Sequence, residues 1–505
     1  MPDSLDTIFK AYDVRGVYPT EIDEAIAHRI GNAFVAFTGA STVVVGHDMR
    51  PSSIPLSRAF IEGAILAGAD VVDIGLASTD MVYFASGLLD APAAQFTASH
   101  NPAQYNGIKM CRALAGPIGE DTGLVQIKEA VAGGLVERAE EPGTVSQRGL
   151  LDEFAEHVRS FIQEPEKLRP LVVVADTANG MGGLVVPAVF EKLPFDLTIL
   201  YVELDGTFPN HPADPIQPEN LVDLQRAVLK HGADIGLAFD GDADRVFVVD
   251  NNANPVSGSL TTAMVAKSIL QASGPGEKVV HNLICSKSVA EIVTEMGCEP
   301  IRSRVGHSFI KQVMSETGAI FGGEHSGHYY FRDNWRADSG LIAAVVILEE
   351  LSRSNAPLSE LRTPFERYAA SGEINSTVPD PKAVIERVSE LFSERFVDAK
   401  QDRLDGLTVD LGDWWFNLRA SNTEPLLMAL DPQLLEILAC PEDKGPLLYF
   451  ADESSLINPR LSRRYTVRED IPIMLVEESE TISDSELARL VAKAESEGIS
   501  PTFGA

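Results

Sequence analysis

The chemistry in this sequence begins at Thr97-Ala98-Ser99-His100-Asn101-Pro102, with Tyr105-Asn106-Gly107-Ile108-Lys109 close behind. Asn101-Pro102 and Asn106-Gly107 are turn pairs, so Ser99 is presented on a tight loop rather than inside a helix. The short apolar run Gln95-Phe96-Thr97 reads as a strand that delivers the loop to a sheet edge. A serine in this setting could instead cap the next helix. A Ser-His hydrolase pair is excluded, because adjacent side chains point apart and no G-x-S-x-G elbow surrounds the serine.

Further along, the strand-like run Ile235–Phe239 leads into Asp240-Gly241-Asp242-Ala243-Asp244-Arg245. In an extended loop, residues two apart project to one side, so Asp240, Asp242 and Asp244 converge on one hard cation. An EF-hand is excluded, since Arg245 stands where the tight-turn glycine belongs and Asn251 replaces the bidentate glutamate. The Asp-x-Asp-Gly-Thr pattern of haloacid dehalogenases is absent. A solvated acidic turn is the plain alternative, but three carboxylates beside a strand end repel unless something neutralises them. Mg²⁺ fits best, because it accepts few carboxylates and favours a phosphate oxygen among its ligands. Arg245 and Lys109 add positive charge around the same point.

Two further loops follow. Gly323-Glu324-His325-Ser326-Gly327-His328 lies between the apolar runs Ala319–Gly322 and Tyr329–Phe331. Arg419-Ala420-Ser421-Asn422-Thr423-Glu424-Pro425 follows the strand Trp415–Leu418. The small hydroxyl and amide side chains of Ser421, Asn422 and Thr423, with exposed backbone N–H groups and Arg419, suit a phosphate cradle.

These four loops, in this order, resemble the α-D-phosphohexomutase superfamily and within it the phosphomannomutase/phosphoglucomutase group, from about Phe9 to about Leu430. The resemblance implies that Ser99 carries a phosphoryl group and exchanges it with a sugar. It implies a metal site of Ser99, as its phosphate, with Asp240, Asp242 and Asp244, and Mg²⁺ as the metal. Arg15, His100, Lys109, Arg245, His307 and His328 are the catalytic set it suggests. Lys287, Glu324, Ser326, Arg419, Ser421, Asn422 and Thr423 match substrate-binding positions. The implied activity is the reversible conversion of mannose 6-phosphate and mannose 1-phosphate through a hexose 1,6-bisphosphate, with glucose phosphates as a further substrate pair. Lys109, His307 and His328 all remain candidates for the general base. A phosphoglucosamine mutase usually carries Arg-x-Ser-Gly-Thr-Glu-Pro, and Asn422 stands in place of that glycine here. Ala243 is a departure, since family loops commonly have glycine there. A silent scaffold is the reading from another class, and the presence of every reactive residue argues against it.

The elements that must position these loops alternate between strand and helix. Thr42–Gly46, Val71–Gly75, Leu171–Ala175 and Lys278–His281 read as strands. Glu21–Phe37 carries apolar residues at helical spacing, and Ser52 and Ser53 cap the next expected helix. That rhythm means parallel α/β layering. The expected fold class is α/β: three related α/β domains and a fourth α+β domain around a central cleft, with a small β-rich C-terminal module. The expected boundaries are 1–145, 146–250, 251–362 and 363–430, then 431–480 for the module and 481–505 for a terminal helix and tail.

The chain has 505 residues, 45% hydrophobic and 23% charged, ordinary values for a globular protein. A net charge of −33 argues against nucleic acid or an anionic membrane as partner. No window reaches roughly 18 apolar residues, and Met1–Lys10 lacks a basic-then-apolar pattern, so a cytoplasmic location is expected. Cys111, Cys285, Cys298 and Cys440 show no C-x-x-C spacing.

From Asp431 the chain resembles small Trm112-like zinc-ribbon proteins over about 45 residues, through Cys440-Pro441, Lys444-Gly-Pro-Leu447 and Tyr465–Leu475. Cys440-Pro441-Glu442-Asp443 keeps the first cysteine and places aspartate where the second belongs. No cysteine follows and no histidine occurs after His328, so a tetrahedral zinc site is not expected. Leu434, Leu435, Ile437 and Leu438 form an apolar face for docking on the fourth domain. Binding of a protein partner, as among Trm112-like proteins, is the alternative. Leu487, Leu490 and Val491 mark one face of a helix over Ser483–Gly498.

Overall fold

The computed structural model describes every residue except 1, 135–137, 373–375, 379, 397, 421–425, 428–439, 441, 444, 451–452, 454, 469–470, 473–478, 498, 500 and 503–505. It divides into two compact units, Met1–Tyr368 and Ala369–Ala505.

The first unit holds three mixed sheets built on one plan. Its strands, in chain order, are β1 (Val14–Val17), β2 (Thr42–His47), β3 (Asp70–Leu76), β4 (Ala93–Phe96), β5 (Tyr105–Arg112), β6 (Gly116–Pro117) and β7 (Val145–Gln147). Next come β8 (Val172–Asp176), β9 (Asp196–Leu200), β10 (Ile235–Phe239), β11 (Val246–Asp250) and β12 (Pro255–Val256). The third set is β13 (Lys278–Asn282), β14 (Glu299–Ser303), β15 (Phe321–Gly323) and β16 (Tyr329–Phe331).

The sheet orders are β1-β5-β4-β2-β3-β7 with β6 on β5, then β12-β11-β10-β8-β9, then β14-β13-β15-β16. Each has a parallel centre: β2 with β3 and β4, β8 with β9 and β10, β13 with β14 and β15. Each then reverses into one antiparallel neighbour, β4 to β5, β10 to β11 and β15 to β16. A parallel step needs a long crossover, whereas an antiparallel step needs only a hairpin. The three hairpin connections are the Ser99, Asp240–Arg245 and Glu324–His328 loops. All three therefore leave the carboxyl ends of parallel strands, where open α/β sheets bind ligands. The strand before Ser99 is an interior strand, paired on both sides, rather than an edge.

One apolar core runs through all three sheets. It includes Val44, Phe84 and Phe154, then Val173, Val185 and Leu237, then Val279, Phe321 and Ile347. The helix Gly340–Arg353 is buried over most of its length, which accounts for its nearly continuous apolar sequence. A second core lies under the helices Glu24–Thr38 and Ser53–Leu66. Asp23 caps the first of these by accepting from Ile26 N–H. Ser52 and Ser53 do not cap the second. Both hydroxyls accept from the Asn106 amide, and Ser53 donates to Asp48. The buried polar cluster beneath the Ser99 loop wins over the helix end.

The second unit begins with an antiparallel sheet of Lys400–Asp402, Leu407–Asp410 and Trp415–Leu418, covered by the helix Pro381–Arg395. Its C-terminal part is a β-rich module around Leu448–Phe450, Ser455–Asn458 and Arg463–Arg468. The helix Asp484–Glu497 seats Leu490 and Ala494 with Phe450 and Ile457. Leu434, Leu435, Ile437 and Leu438 lie outside the described residues. Among the described residues, no helix is long and apolar enough to cross a membrane.

The helices Glu24–Thr38 and Ser53–Leu66 pack through glycine. A Cβ at Gly63 would stand 1.9 Å from the His28 carbonyl oxygen, and one at Gly31 would stand 2.1 Å from that of Phe60. Both contacts are backbone on each side, so the helices must part. Gly63→Ala is expected to destabilise the protein by about 1–3 kcal/mol despite alanine's better helix propensity. Chemical denaturation of the variant with an unchanged midpoint would refute the close-packing argument.

Candidate active site

The Ser99 loop and the aspartate loop meet face to face. Ser99 Oγ–H donates to Asp240 Oδ2 at 2.7 Å, and Arg245 Nη2 donates to Ser99 Oγ at 3.1 Å. Ser99 itself is buried and holds φ = 49°, a left-handed conformation that costs an ordinary residue about 1–2 kcal/mol. The helix-cap alternative fails, because the next element after Ser99 is β5.

The three aspartates converge, although the loop is not extended. Ala243 N–H bonds back to Asp240 C=O at 3.2 Å and Ala243 takes φ = 61°, so a tight turn brings the carboxylates round. This is the conformation for which glycine is the usual choice. Asp240, Asp242 and Asp244 are fully buried, and each offers an oxygen within 4.8 Å of the others.

Two cations answer this charge. Lys109 Nζ, delivered by β5, pairs with Asp242 at 2.7 Å and Asp244 at 2.6 Å. Arg245 Nε and Nη2 hold Asp240 at 3.0 and 2.8 Å. Thr79, the first residue of the helix Thr79–Leu89, also donates to Asp242. Burial acts on every member of this group, and the partners decide the outcome. Burial pushes the Asp240 carboxyl above its usual range, beyond what Arg245 reverses. Burial would raise Asp242 as well, but Lys109 outweighs it and holds that carboxyl low. Burial would lower Lys109, and Asp242 and Asp244 instead hold it well above an ordinary lysine. A lysine so held is an electrostatic partner rather than a ready proton acceptor.

Asp242 Oδ1 and Asp244 Oδ1 are buried and have no hydrogen-bond partner among the described residues. Two orphaned carboxylate oxygens beside a third carboxylate and a serine oxygen fit a hard divalent cation, which would satisfy both.

Histidines close the site. Arg245 Nη2 donates to His100 Nδ1 at 2.6 Å. A guanidinium only donates, so His100 accepts there and carries its proton on Nε2. Burial, then Arg245 and Arg15, keep His100 neutral. Burial, then Lys311, does the same for His307, whose ring packs edge-on to Tyr12 at 5.3 Å. His328 has Nε2 at 3.8 Å from Asp244 and Nδ1 at 3.2 Å from Ser326 Oγ. Glu324 is 2% exposed and accepts from Tyr330 O–H at 2.6 Å, and from Asn282 and Gly306 N–H at 3.1 Å each. Arg15, on β1, donates to Asn101 in the serine loop and to Asp13.

Ser99, His100, Lys109, Asp240, Asp242, Asp244, Arg245, Ser326 and His328 are thus linked directly, with Arg15 joined through Asn101. Lys287 opens the helix Lys287–Glu295, directly after its capping residue Ser286. Arg419 belongs to the second unit, just after Trp415–Leu418; Gly406, at φ = 72°, passes so close that a Cβ there would meet Leu418 O at 2.3 Å. Ser421, Asn422 and Thr423 lie outside the described residues.

Several participants had no motif to announce them. Arg50 and Asp48 anchor the serine loop, and Lys311 and Asp338 form a buried pair at 2.7 Å, with Asp338 4.0 Å from His328. The one signal available was Lys311 one helical turn after His307, on the same face.

A serine, three cation-ready carboxylates and two fixed cations gathered on loops of an α/β framework define an enzyme of the phosphoryl-transfer class. Family models for phosphoglucomutase/phosphomannomutase α/β/α domains I, II and III match residues 6–134, 152–254 and 257–368, and the Trm112p-like protein model matches 431–470. Proteins named phosphohexose mutases in Xanthomonas campestris and phosphomannomutase in Escherichia coli K12 are each 40% identical, over 83% of this chain and 93% of theirs. A solved phosphoglucomutase/phosphomannomutase family protein of Burkholderia thailandensis superimposes with a TM-score of 0.76 at 30% identity, over 98% of this chain and 99% of that one. The chain belongs to the phosphoglucomutase/phosphomannomutase family.

Gly241 fixes how closely the two loops meet. A Cβ there would stand 2.3 Å from Ser99 O, backbone that cannot swing aside. Gly241→Ala should therefore push the serine loop away and lower kcat about 10²-fold, the scale of a 1 Å misplacement. Steady-state kinetics on a variant with an unaltered circular dichroism spectrum checks this, and wild-type kcat would sink it.

Proposed function

We propose that this protein is a phosphomannomutase that interconverts mannose 6-phosphate and mannose 1-phosphate, with glucose phosphates as a further substrate pair. The observation that carries the reading is Ser99 Oγ, held between Asp240 and Arg245 beside two orphaned carboxylate oxygens.

In this reading Ser99 bears the phosphoryl group at the start. The free sugar hydroxyl attacks phosphorus and gives up its proton, the P–Oγ bond breaks, and the Ser99 oxygen leaves. The product is a hexose 1,6-bisphosphate. It turns over and its other phosphoryl group returns to Ser99, leaving the isomeric monophosphate. The transition state is loose, so charge and position matter more than covalent help. Arg245 and Lys109 face the transferring group. His307 and His328 are the candidates to accept the hydroxyl proton, since Lys109 is locked by two carboxylates. His100 holds the Arg245 guanidinium in place, and Arg15 braces the loop at Asn101.

Asp240, Asp242 and Asp244, with the phosphoserine, would hold Mg²⁺. When bound, the ion supplies Lewis-acid stabilisation of charge on the phosphoryl oxygens. Glu324 and Ser326 would grip sugar hydroxyls, and Lys287 would face the substrate. The Arg419, Ser421, Asn422 and Thr423 loop would cradle the phosphate that is not reacting. The domain boundaries at 145, 250, 362 and 430 belong to the same proposal, as does a cytoplasmic location.

Ser99→Ala should abolish steady-state turnover with saturating hexose 1,6-bisphosphate present, and intact mass should show no added phosphoryl group. Retention of a tenth of wild-type kcat would overturn the assignment.

We infer further that the C-terminal module is metal-free. At the position where a zinc ribbon carries its second cysteine, Asp443 accepts from Arg460 Nε at 2.9 Å and from Asn458 Nδ2 at 3.0 Å. Cys440 Sγ lies 3.2 Å from Tyr465 Oη. An ion pair and hydrogen bonds thus join segments that a zinc ion would join, and a protein-binding role is open to the surface outside them. Elemental analysis of the purified protein is expected to find no stoichiometric zinc; one tightly held equivalent would refute this.

A further inference from the structure

The serine loop is held from behind by one buried side chain that no motif announces. Arg50, three residues past the end of strand β2 in Gly46-His47-Asp48-Met49-Arg50, is 1% exposed and among the largest fully buried side chains. Its guanidinium carries five N–H donors in a fixed fork. All five are matched. Nη2 donates to Ser99 C=O at 2.9 Å and Asn101 C=O at 2.7 Å. Nη1 donates to Pro102 C=O at 2.9 Å and Tyr105 C=O at 3.0 Å. Nε donates to Asp48 Oδ2 at 3.2 Å. Four carbonyls of one loop are gathered on one planar group.

The support behind Arg50 is itself fixed. Asp48 Oδ1 accepts from Arg50 N–H at 2.9 Å and from Ser53 Oγ–H at 2.5 Å, and Asp48 N–H donates to Phe96 C=O at 2.9 Å. The Phe208 ring lies 5.0 Å from the guanidinium carbon, and Gly206 passes so close that a Cβ there would meet Arg50 Cα at 2.6 Å. The loop that follows β9, an edge strand of the aspartate loop's sheet, therefore packs against the residue that holds the serine loop.

The loop needs such a hold. Ser99 sits in the left-handed region, and its Oγ must lie between Asp240 and Arg245. No helix or ladder fixes residues 99–102, whose carbonyls would otherwise face water or nothing. Gly241 approaches the same Ser99 carbonyl oxygen, which a Cβ there would meet at 2.3 Å. The Ser99 carbonyl is thus crowded by both Arg50 and Gly241, while its side chain reaches Asp240.

We propose that Arg50 is a positioning residue for phosphoryl transfer, fixing the Ser99 backbone so that Oγ is aimed at the transferring group. The proposal rests on Ser99 being the phosphoryl carrier. Arg50 is buried with every side-chain donor on a protein acceptor, so it acts through the loop. Lysine cannot replace it, because three donors on one ammonium cannot span four carbonyls and Asp48.

The test compares wild type, Arg50→Lys and Asp48→Asn, all first stripped of phosphate. Glucose 1,6-bisphosphate is added, and the rate at which Ser99 gains a phosphoryl group is followed by intact mass, well below each melting temperature. Steady-state kcat and KM are measured beside it. The expected result for Arg50→Lys is a phosphorylation rate and kcat lowered about 10²-fold, with KM within about threefold. Asp48→Asn keeps the fork and weakens its anchor, so a smaller fall in the same direction is expected. A purely structural arginine would lower the melting temperature and leave the phosphorylation rate of folded protein unchanged; that result overturns the proposal. Should Arg50→Lys not fold, the isosteric Asp48→Asn decides by the same criterion. Failure of the wild type to take phosphate on Ser99 would instead overturn the reading of Ser99 itself.

Discussion

Three carboxylates buried within 4.8 Å of one another are the constraint around which the first unit is arranged. Like charges in a low-dielectric interior repel strongly, and each buried ion must be paired or neutralised. Lys109 bridges Asp242 and Asp244, and Arg245 clasps Asp240. Lys109 comes from β5, in another sheet, and Arg245 from the residue just ahead of β11, so the aspartate loop is fully paired only when two sheets meet at it. Neutralisation is incomplete, as the two orphaned oxygens show. A site with this deficit suits a dication, beside the Ser99 oxygen that Asp240 already accepts from.

The sheets solve a common geometrical problem in a common way. A parallel strand ends where its crossover helix must begin, and that leaves little freedom for a reactive loop. Replacing the last crossover by a hairpin gives a short rigid loop between two ladders, with the antiparallel strand free to return a side chain to the site. Lys109 on β5 and His328 just ahead of β16 are both placed so. Backbone pairing also ties the loops together, because Arg245 and His328 form an antiparallel bridge between two of them.

Much of this was legible in the sequence, and the reason is local. Apolar runs such as Ile235–Phe239 and Tyr329–Phe331 are buried on both faces, and their ends are fixed by charged or glycine-rich loops, so their bounds could be read directly. The aspartates were legible because their spacing is within one loop. An extended chain would make them converge by alternation, but the real cause is a turn through Ala243, which spacing alone does not reveal. Ser52 and Ser53 were misleading for the opposite reason. Their capping propensity is local, whereas Asn106, which donates to both hydroxyls, is brought in by tertiary pairing, and Asp48, five residues before Ser53, accepts that hydroxyl's hydrogen bond. Arg50 and Asp338 were invisible because the partners that define them lie tens of residues away, and Lys311 offered only its helical spacing from His307.

Under the proposed function, the hydroxyl and phosphoryl forms of Ser99 place opposite demands on the same neighbours. As a hydroxyl, Oγ gives Asp240 a hydrogen bond and takes one from Arg245. A phosphoryl group on Oγ removes the proton that Asp240 accepts and adds roughly −1.5 to −2 of charge beside three carboxylates. Arg245 then has two anionic claimants, and Asp240 keeps only what the arginine leaves it. The balance can be restored by positive charge shared between Asp240 and the phosphoryl oxygens, which is where the carboxylate trio opens. The same neighbours therefore suit both forms, and neither form is so well satisfied that the phosphoryl group is trapped. Reversible transfer requires that near-equality, since a site complementary to only one form would bind it and stop.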